Sequence, residues 1–312
     1  MIRIAILDDY QNIALELADW ASLGDRVEVT VFNDHVGDRD EIVNRLLPFD
    51  VVCVMRERTP LPRDILSRLP SLKLIASTGP GNSSIDKVAA AEYNIKIVNT
   101  RYAPTSTIEL SWALILASAR NIVAEVVSIR SGGWQRTAGD EIHGKILGVL
   151  GLGNIGSEVA RIGRAFGMEV IAWSENLDPE RAQERGARWV SKEELFRRSD
   201  ILTIHLVLSD RTRGLVGKSD LALMKPTARL VNTSRGPIVD EAALIETLRS
   251  KRIAGAAIDV FDIEPLPQAH AFRQLDNLIT TPHIGYVSRD LYRIFYQDTI
   301  ANISRWMQNR RE

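Results

Sequence analysis

An arginine, a glutamate and a histidine stand just beyond three apolar runs in the second half of the chain: Arg235 in LVNTSRGPIVD, Glu264 in AAIDVFDIEP and His283 in LITTPHIGY. A guanidinium can grip a carboxylate through two parallel hydrogen bonds and polarise a neighbouring carbonyl. An imidazole can give a proton to the alkoxide that forms when such a carbonyl is reduced. A carboxylate beside the imidazole fixes its orientation and favours its protonated form. Arg235, Glu264 and His283 are therefore the side chains that reduction of a carbonyl next to a carboxylate requires, given a source of hydride.

The stretch VLGLGNIGSEVAR, residues 149 to 161, points to that source. Gly151, Gly153 and Gly156 match G-x-G-x-x-G, in which the first glycine permits a tight turn, the second admits a pyrophosphate and the third lets helix and strand pack closely. The loop follows a predicted strand at 146–150 and opens a predicted helix at 157–166, so helix-start amides and a positive dipole end would face the phosphates. The next strand ends in VIAWSENLD, with Ser174 where a ribose-binding acid is most expected and Glu175 one residue later. A carboxylate there repels a 2′-phosphate, and no arginine stands at 174–176, which favours NAD; NADP stays open as the alternative. In open parallel sheets ligands bind outside the carboxyl ends of the strands, so Arg235, Asp259, Glu264 and His283 should converge on the edge that carries the loop. His205 ends a further predicted strand at that edge and reads as a cofactor contact.

Two series of elements must position these groups. Short β-branched runs alternate with helical segments throughout. The first series has predicted strands at 2–7, 27–32, 50–54, 72–76 and 95–98; the second has them at 146–150, 169–173, 201–206, 228–232, 253–259 and 278–281. This is an α/β protein of two Rossmann-like or flavodoxin-like domains with parallel sheets and a cleft between them. The expected boundaries are 1–99, completed by a C-terminal helix at 286–312, and 100–285, the NAD-binding Rossmann domain, with the two chain crossings acting as a hinge. Between the series lies STIELSWALILASARNIVAEVVSIRSGG, apolar nearly all round from Trp112 to Ala119. Such a helix must be covered on every side, which leads us to expect a homodimer.

Lys and Arg total 39 against 40 Asp and Glu, a balance that argues against nucleic acid or an acidic membrane as partner. Cys53, the single cysteine, lies in the apolar run DVVCVM and reads as a core residue, so neither a disulfide framework nor a thiolate cluster is available. No metal site is expected, because no His or carboxylate pair has helical i, i+4 ligand spacing. The start, MIRIAILDDY, reads as a first strand and not as a signal peptide, and no run of about 18 apolar residues occurs. The expected location is cytoplasmic. His35, His143 and His270 show no partner pattern and read as surface residues.

GLGNIG, NTSRG, DVFDIEP and TPHIG, in this order and spacing, resemble the D-isomer-specific 2-hydroxyacid dehydrogenases over essentially the whole chain. The resemblance implies an NAD(P)-dependent oxidoreductase that passes hydride between NAD(H) and a 2-oxo acid or D-2-hydroxy acid, for example of the glyoxylate or hydroxypyruvate type. It implies that His283 is the acid/base, Glu264 its partner and Arg235 the group that binds the substrate carboxylate. Asp259 would hold the nicotinamide carboxamide. Thr107, Asn154, Ile155, Val207 and Thr233 would be further cofactor contacts, Val207 standing where proline is usual. The first domain would be the substrate domain. There LIASTGPGNSSID resembles a loop whose amides grip the carboxylate, but Pro80 has no N–H to offer, so Gly81 and Asn82 are expected to take over. Arg56, in MRERTP, matches an arginine that reaches the distal end of substrates in some relatives. The alternative is a non-catalytic NAD-sensing binding protein, co-repressor-like, on the same scaffold. A formate dehydrogenase would carry glutamine as the histidine's partner, where this chain has Glu264. A phosphoglycerate-oxidising enzyme with a carboxy-terminal regulatory domain would need chain beyond the closing helix.

Overall fold

The computed structural model describes residues 1–309; the last three residues of the expected final helix lie outside the described residues. The chain forms two compact units, Met1–Ala103 with Val287–Glu312, and Pro104–Tyr286.

The first unit is built on five parallel strands: β1 (Ile2–Ile6), β2 (Val27–Val31), β3 (Val51–Val54), β4 (Leu74–Ser77) and β5 (Lys96–Asn99), in the order β2-β1-β3-β4-β5. Strands β3 and β4 are buried at every position, as a parallel sheet covered on both faces requires. Ala5, Val52, Val54 and Ile75 face a core with Ile42, Leu46, Ile65 and Ala89. The closing helix Arg289–Gln308 lies against β4 and the short helix Ala14–Leu17. Its buried stripe carries Leu291, Tyr292, Phe295, Tyr296, Thr299, Ile303, Trp306 and Met307.

Seven parallel strands make the second sheet: β6 (Ile146–Leu150), β7 (Glu169–Trp173), β8 (Arg188–Trp189), β9 (Ile201–Ile204), β10 (Arg229–Asn232), β11 (Gly255–Ile258) and β12 (Leu278–Thr280), in the order β12-β11-β10-β9-β6-β7-β8. Strand order reverses beside β6, the switch point at which such sheets take their ligands. Alternation sorts the side chains between two faces. Leu147, Val149, Val231 and Ala257 meet one layer, and Leu150, Leu202, Leu230 and Ile258 the other.

The apolar segment after residue 104 behaves differently from its sequence reading. It is two helices, Thr105–Ala119 and Ile122–Arg130, bent by 66° where Asn121 takes a left-handed φ of 51°. The first lies within its own unit, against the helix Asn154–Ala165 and strands β10 and β11, with Trp112, Leu114, Ile115 and Ala119 buried. The apolar helix that prompted the expectation of a homodimer is thus covered largely within its own unit. The apolar surface left exposed belongs to the second helix: Ile122, Val123, Val126, Val127 and Ile129, with Trp134 just beyond. No single helix among the described residues is long and apolar enough to cross a membrane.

Candidate active site

Register brings the expected residues to one edge of the second sheet. Leu150 pairs with Trp173 and Ile204, Asn232 with Ile204 and Ile258, and Ile258 with Thr280. Strands β6, β7, β9, β10, β11 and β12 therefore end level, and the residue after each is Gly151, Ser174, His205, Thr233, Asp259 or Thr281. Five of those six were singled out from sequence, and the sixth opens the His283 turn.

At the glycine loop the geometry fits a dinucleotide. Gly151 adopts φ +99°, and a Cβ there would lie 2.8 Å from the His205 carbonyl oxygen. A Cβ on Gly156 would meet the Gly151 carbonyl oxygen at 2.0 Å, so helix and loop could not close together. Around Gly153 a Cβ would meet nothing within 4 Å: this side of the loop is open. The helix Asn154–Ala165 begins earlier than its periodicity indicates, with Asn154 and Ile155 in its first turn and no side-chain cap. Ser157 donates to the Gly153 carbonyl at 2.9 Å, which leaves the amides before it as the orphan donors of a helix start, suited to a pyrophosphate. Ser174 accepts a turn bond from Leu177 N at 3.0 Å, and Glu175 is exposed. Arg181 is engaged by Asp178 at 3.5 Å, and Arg185 donates to the Leu152 carbonyl. His205 bonds Thr203 Oγ1 at 2.9 Å, and burial pushes its imidazole down to about 4, so it stays neutral. Val207 is 83% exposed, beside it in the chain.

His283 and Glu264 are in contact: Nδ1 lies 2.5 Å from the carboxylate Oε2, while Oε1 accepts from Phe261 N at 2.9 Å. That leaves Nε2 as the imidazole atom turned away from its carboxylate. The histidine sits at φ 53°, and the edge of its ring meets Tyr286 with centroids 5.3 Å apart. Its turn is fastened by Asp259, which is wholly buried. One Asp259 oxygen accepts from Thr281 Oγ1 (2.6 Å) and Ile284 N (2.8 Å), and the other from Gly285 N (2.8 Å). Burial pushes this carboxyl above the usual carboxylate range, while the Thr281 hydroxyl and the two amides pull the other way. Thr107 donates to the Gly285 carbonyl at 2.9 Å, and Ser111 bonds both the Thr107 carbonyl and Thr233 Oγ1 at 2.7 Å. The helix Thr105–Ala119 is thereby tied to two of the functional turns. Sequence reasoning missed Ser111, a small polar residue in an apolar helix.

Arg235 is half-buried, and its turn is shaped by Asn232, whose amide donates to the Arg235 carbonyl (3.0 Å) and whose oxygen accepts from Ser234 N (3.0 Å). One guanidinium nitrogen of Arg235 reaches the Ser234 carbonyl at 2.8 Å. Arginine, carboxylate-paired imidazole and open glycine loop thus occupy one unit.

In the first unit, the loop after β4 is locked by Asn82. Its side chain donates to the Arg56 carbonyl (2.6 Å) and accepts from Ser84 N and Oγ. Pro80 is exposed, with Gly81 half-buried after it. The Arg56 guanidinium turns onto the carbonyls of Thr78 (3.2 Å) and Gly81 (3.4 Å), beside Glu57. A Cβ on Gly79 would strike it at 1.8 Å, so Arg56 braces the loop itself. Two histidines read as surface residues are half-buried and paired: His35 with Asp8 at 3.0 Å, and His270 with Glu241 at 3.0 Å. Their carboxylates lie 27 and 29 positions away, beyond the reach of any local pattern. His143 is exposed.

Residues 112–285 match the family model described as D-isomer specific 2-hydroxyacid dehydrogenase, NAD binding domain. The glyoxylate reductase of Aeropyrum pernix is 45% identical over 73% of this chain and 71% of its own. A hydroxypyruvate reductase of Thermotoga maritima is 37% identical over 93% of this chain and 94% of its own. The chain also matches D-3-phosphoglycerate dehydrogenases, of which it spans about half the length. Among solved structures, a phosphoglycerate oxidoreductase from Vibrio cholerae superposes with a TM-score of 0.94 at 36% identity, covering 99% of this chain and 100% of that one. This chain therefore belongs to the D-isomer specific 2-hydroxyacid dehydrogenases, NAD-dependent oxidoreductases that act on the CH–OH group of small hydroxy acids.

Proposed function

We propose that the protein reduces a small 2-oxo acid of the glyoxylate or hydroxypyruvate type, with Arg235, Glu264 and His283 as its working side chains. The observation that carries the assignment is the 2.5 Å contact between His283 Nδ1 and Glu264 in the unit that holds the glycine loop. Bound NADH supplies the hydride. Arg235 binds the substrate carboxylate through its planar fork and withdraws electron density from the neighbouring carbonyl. Protonated His283 gives its Nε2 proton to the carbonyl oxygen as the alcohol forms, and neutral His283 takes it back in the reverse direction. Glu264 holds the ring by Nδ1 and balances the imidazolium charge.

Glycines 151, 153 and 156, with Asn154 and Ile155, are assigned to the pyrophosphate, Ser174 and Glu175 to the ribose, and Thr107, His205, Val207, Thr233 and Asp259 to the rest of the cofactor. The unit Pro104–Tyr286 is assigned as cofactor domain and the other unit as substrate domain, where the Gly81 and Asn82 amides are the donors for substrate and Pro80 gives none. Arg56 is assigned to that loop as its brace. A homodimer fits the exposed apolar face of Ile122–Arg130, since contiguous patches of this kind mark protein contacts. Balanced charge supports a protein without nucleic-acid or acidic-membrane partners.

Glu264→Gln tests the assignment. The amide still bonds the ring but carries no charge, so imidazolium becomes less favourable. Reduction needs the protonated ring and oxidation the neutral one. The high-pH limb of reduction and the low-pH limb of oxidation should both move to lower pH, with activity retained in part. Profiles that superimpose on those of the wild type would remove Glu264 from its role.

Cofactor choice gives a second expected result. Glu175 is exposed after β7, and the nearby cations Arg181 and Arg185 are engaged within the chain. Like charges about 4 Å apart near a surface repel by ~1–4 kcal/mol. We expect kcat/KM to favour NADH over NADPH by on the order of 10-fold or more. Equal use of the two would remove Glu175 from the ribose.

A further inference from the structure

We propose that Glu241 is a positioning residue that closes the segment bearing Glu264 and fixes it against the Arg235 turn; the inference rests on the assignment of Glu264 as the partner of His283. Glu241 opens the helix Glu241–Arg249, where an acid needs only solvent and the helix dipole for its stability. Both of its oxygens instead reach across to another segment. Oε1 accepts from His270 Nε2 at 3.0 Å and Oε2 from Asp262 N at 3.4 Å. Asp262 and His270 are the two ends of the stretch 262–270, and Glu264 lies within it. One carboxylate thus holds both ends of the strand-to-loop excursion that delivers Glu264.

The partner atoms fix how His270 takes part. Its Nδ1 accepts from Phe272 N at 3.2 Å, so the ring proton resides on Nε2 and points at Glu241. The ring lies on Phe272, centroids 4.9 Å apart. Arg273 braces the middle of the stretch through the carbonyls of Leu266 (2.7 Å) and Pro267 (3.0 Å). Glu241 acts at the ends, and around Asp262 the charged groups are Glu241 and Asp240 on the acidic side and Arg213 and His270 on the basic side. A second contact ties the same two segments. Gly236, next to Arg235, approaches so closely that a Cβ would lie 2.2 Å from the Phe261 carbonyl carbon and 2.7 Å from Asp262 N. The segment 235–241 therefore touches the Glu264 segment at both of its ends, and Glu241 sets the spacing where backbone contact alone does not.

The test uses the full chain and four variants, Glu241→Ala, His270→Phe, the two combined and, as control, Glu264→Gln. The readouts are the pH profile of reduction, kcat and KM separately, and NADH affinity by fluorescence. A small displacement of a working group costs rate out of proportion to its size. We expect Glu241→Ala to lower kcat by on the order of 10-fold with NADH affinity unchanged. Its reductive limb should move to lower pH, in the direction of Glu264→Gln, because the imidazole loses its carboxylate for part of the time. His270→Phe keeps the ring on Phe272 and should move the limb the same way by less, with the double variant no worse than Glu241→Ala. If Glu264→Gln moves the limb while both other single variants keep the wild-type limb, the positioning role is overturned and the role of Glu264 stands. If Glu264→Gln leaves the limb in place, the assignment of Glu264 falls and this inference with it. Should Glu241→Ala fail to fold, His270→Phe decides by the same limb.

Discussion

His283→Asn should lower kcat for 2-oxo acid reduction by on the order of 10²–10⁴-fold, the usual contribution of a positioned proton donor. Asparagine suits the experiment because it tolerates the left-handed φ of 53° that the turn imposes, so the bonds that Thr281, Ile284 and Gly285 make to Asp259 and Thr107 can persist. NADH binding, measured by fluorescence, should change little, because the glycine loop is untouched. The residual rate reports what the arginine and the bound cofactor contribute together. A variant with near-native kcat would place the proton donor elsewhere.

Arg235→Lys should lower kcat/KM by roughly 2–4 kcal/mol. Lysine keeps the charge and loses the planar fork, so it can approach the carboxylate but not hold it and the carbonyl in one geometry. The backbone of the turn is set by the Asn232 amide and by the Ser234 hydroxyl, which donates to the Leu206 carbonyl, so the substitution should leave the fold intact. The loss should fall on KM and kcat for the oxo acid, with NADH affinity preserved. A variant that loses cofactor affinity and keeps its efficiency at saturating cofactor would move Arg235 out of the substrate site.

What the sequence made legible is the sheet edge. Apolar runs flanked by glycine and polar residues mark buried parallel strands, and in a parallel sheet the strand ends share one edge; hence Gly151, His205 and Asp259 could be placed there from the sequence, and Thr233 by the family resemblance. The two-residue strand β8 was not legible, since Arg188 and Trp189 are exposed and carry no apolar run. Nor was the break at Asn121, where a single left-handed residue turns one apolar helix into two and moves the exposed apolar face from the first to the second. Side-chain partners remote in sequence were equally hidden. Arg56 bracing its own loop, and Glu241 reaching His270 across 29 positions, depend on where turns bring chain segments, which composition and period do not encode. Asp259 was found by motif, but its bonds to the His283 turn emerged only from the fold.

Steady oxidation of NADH by the purified protein, with a panel containing glyoxylate, hydroxypyruvate, phenylpyruvate and a branched 2-oxo acid, tests the central claim most directly when wild type and His283→Asn are run side by side. At least one 2-oxo acid should be converted to the D-2-hydroxy acid, one molecule per NADH consumed, and this turnover should collapse in His283→Asn while NADH still binds. Wild-type protein that binds NADH and turns over no member of the panel, or a His283→Asn variant that matches it, would contradict the account.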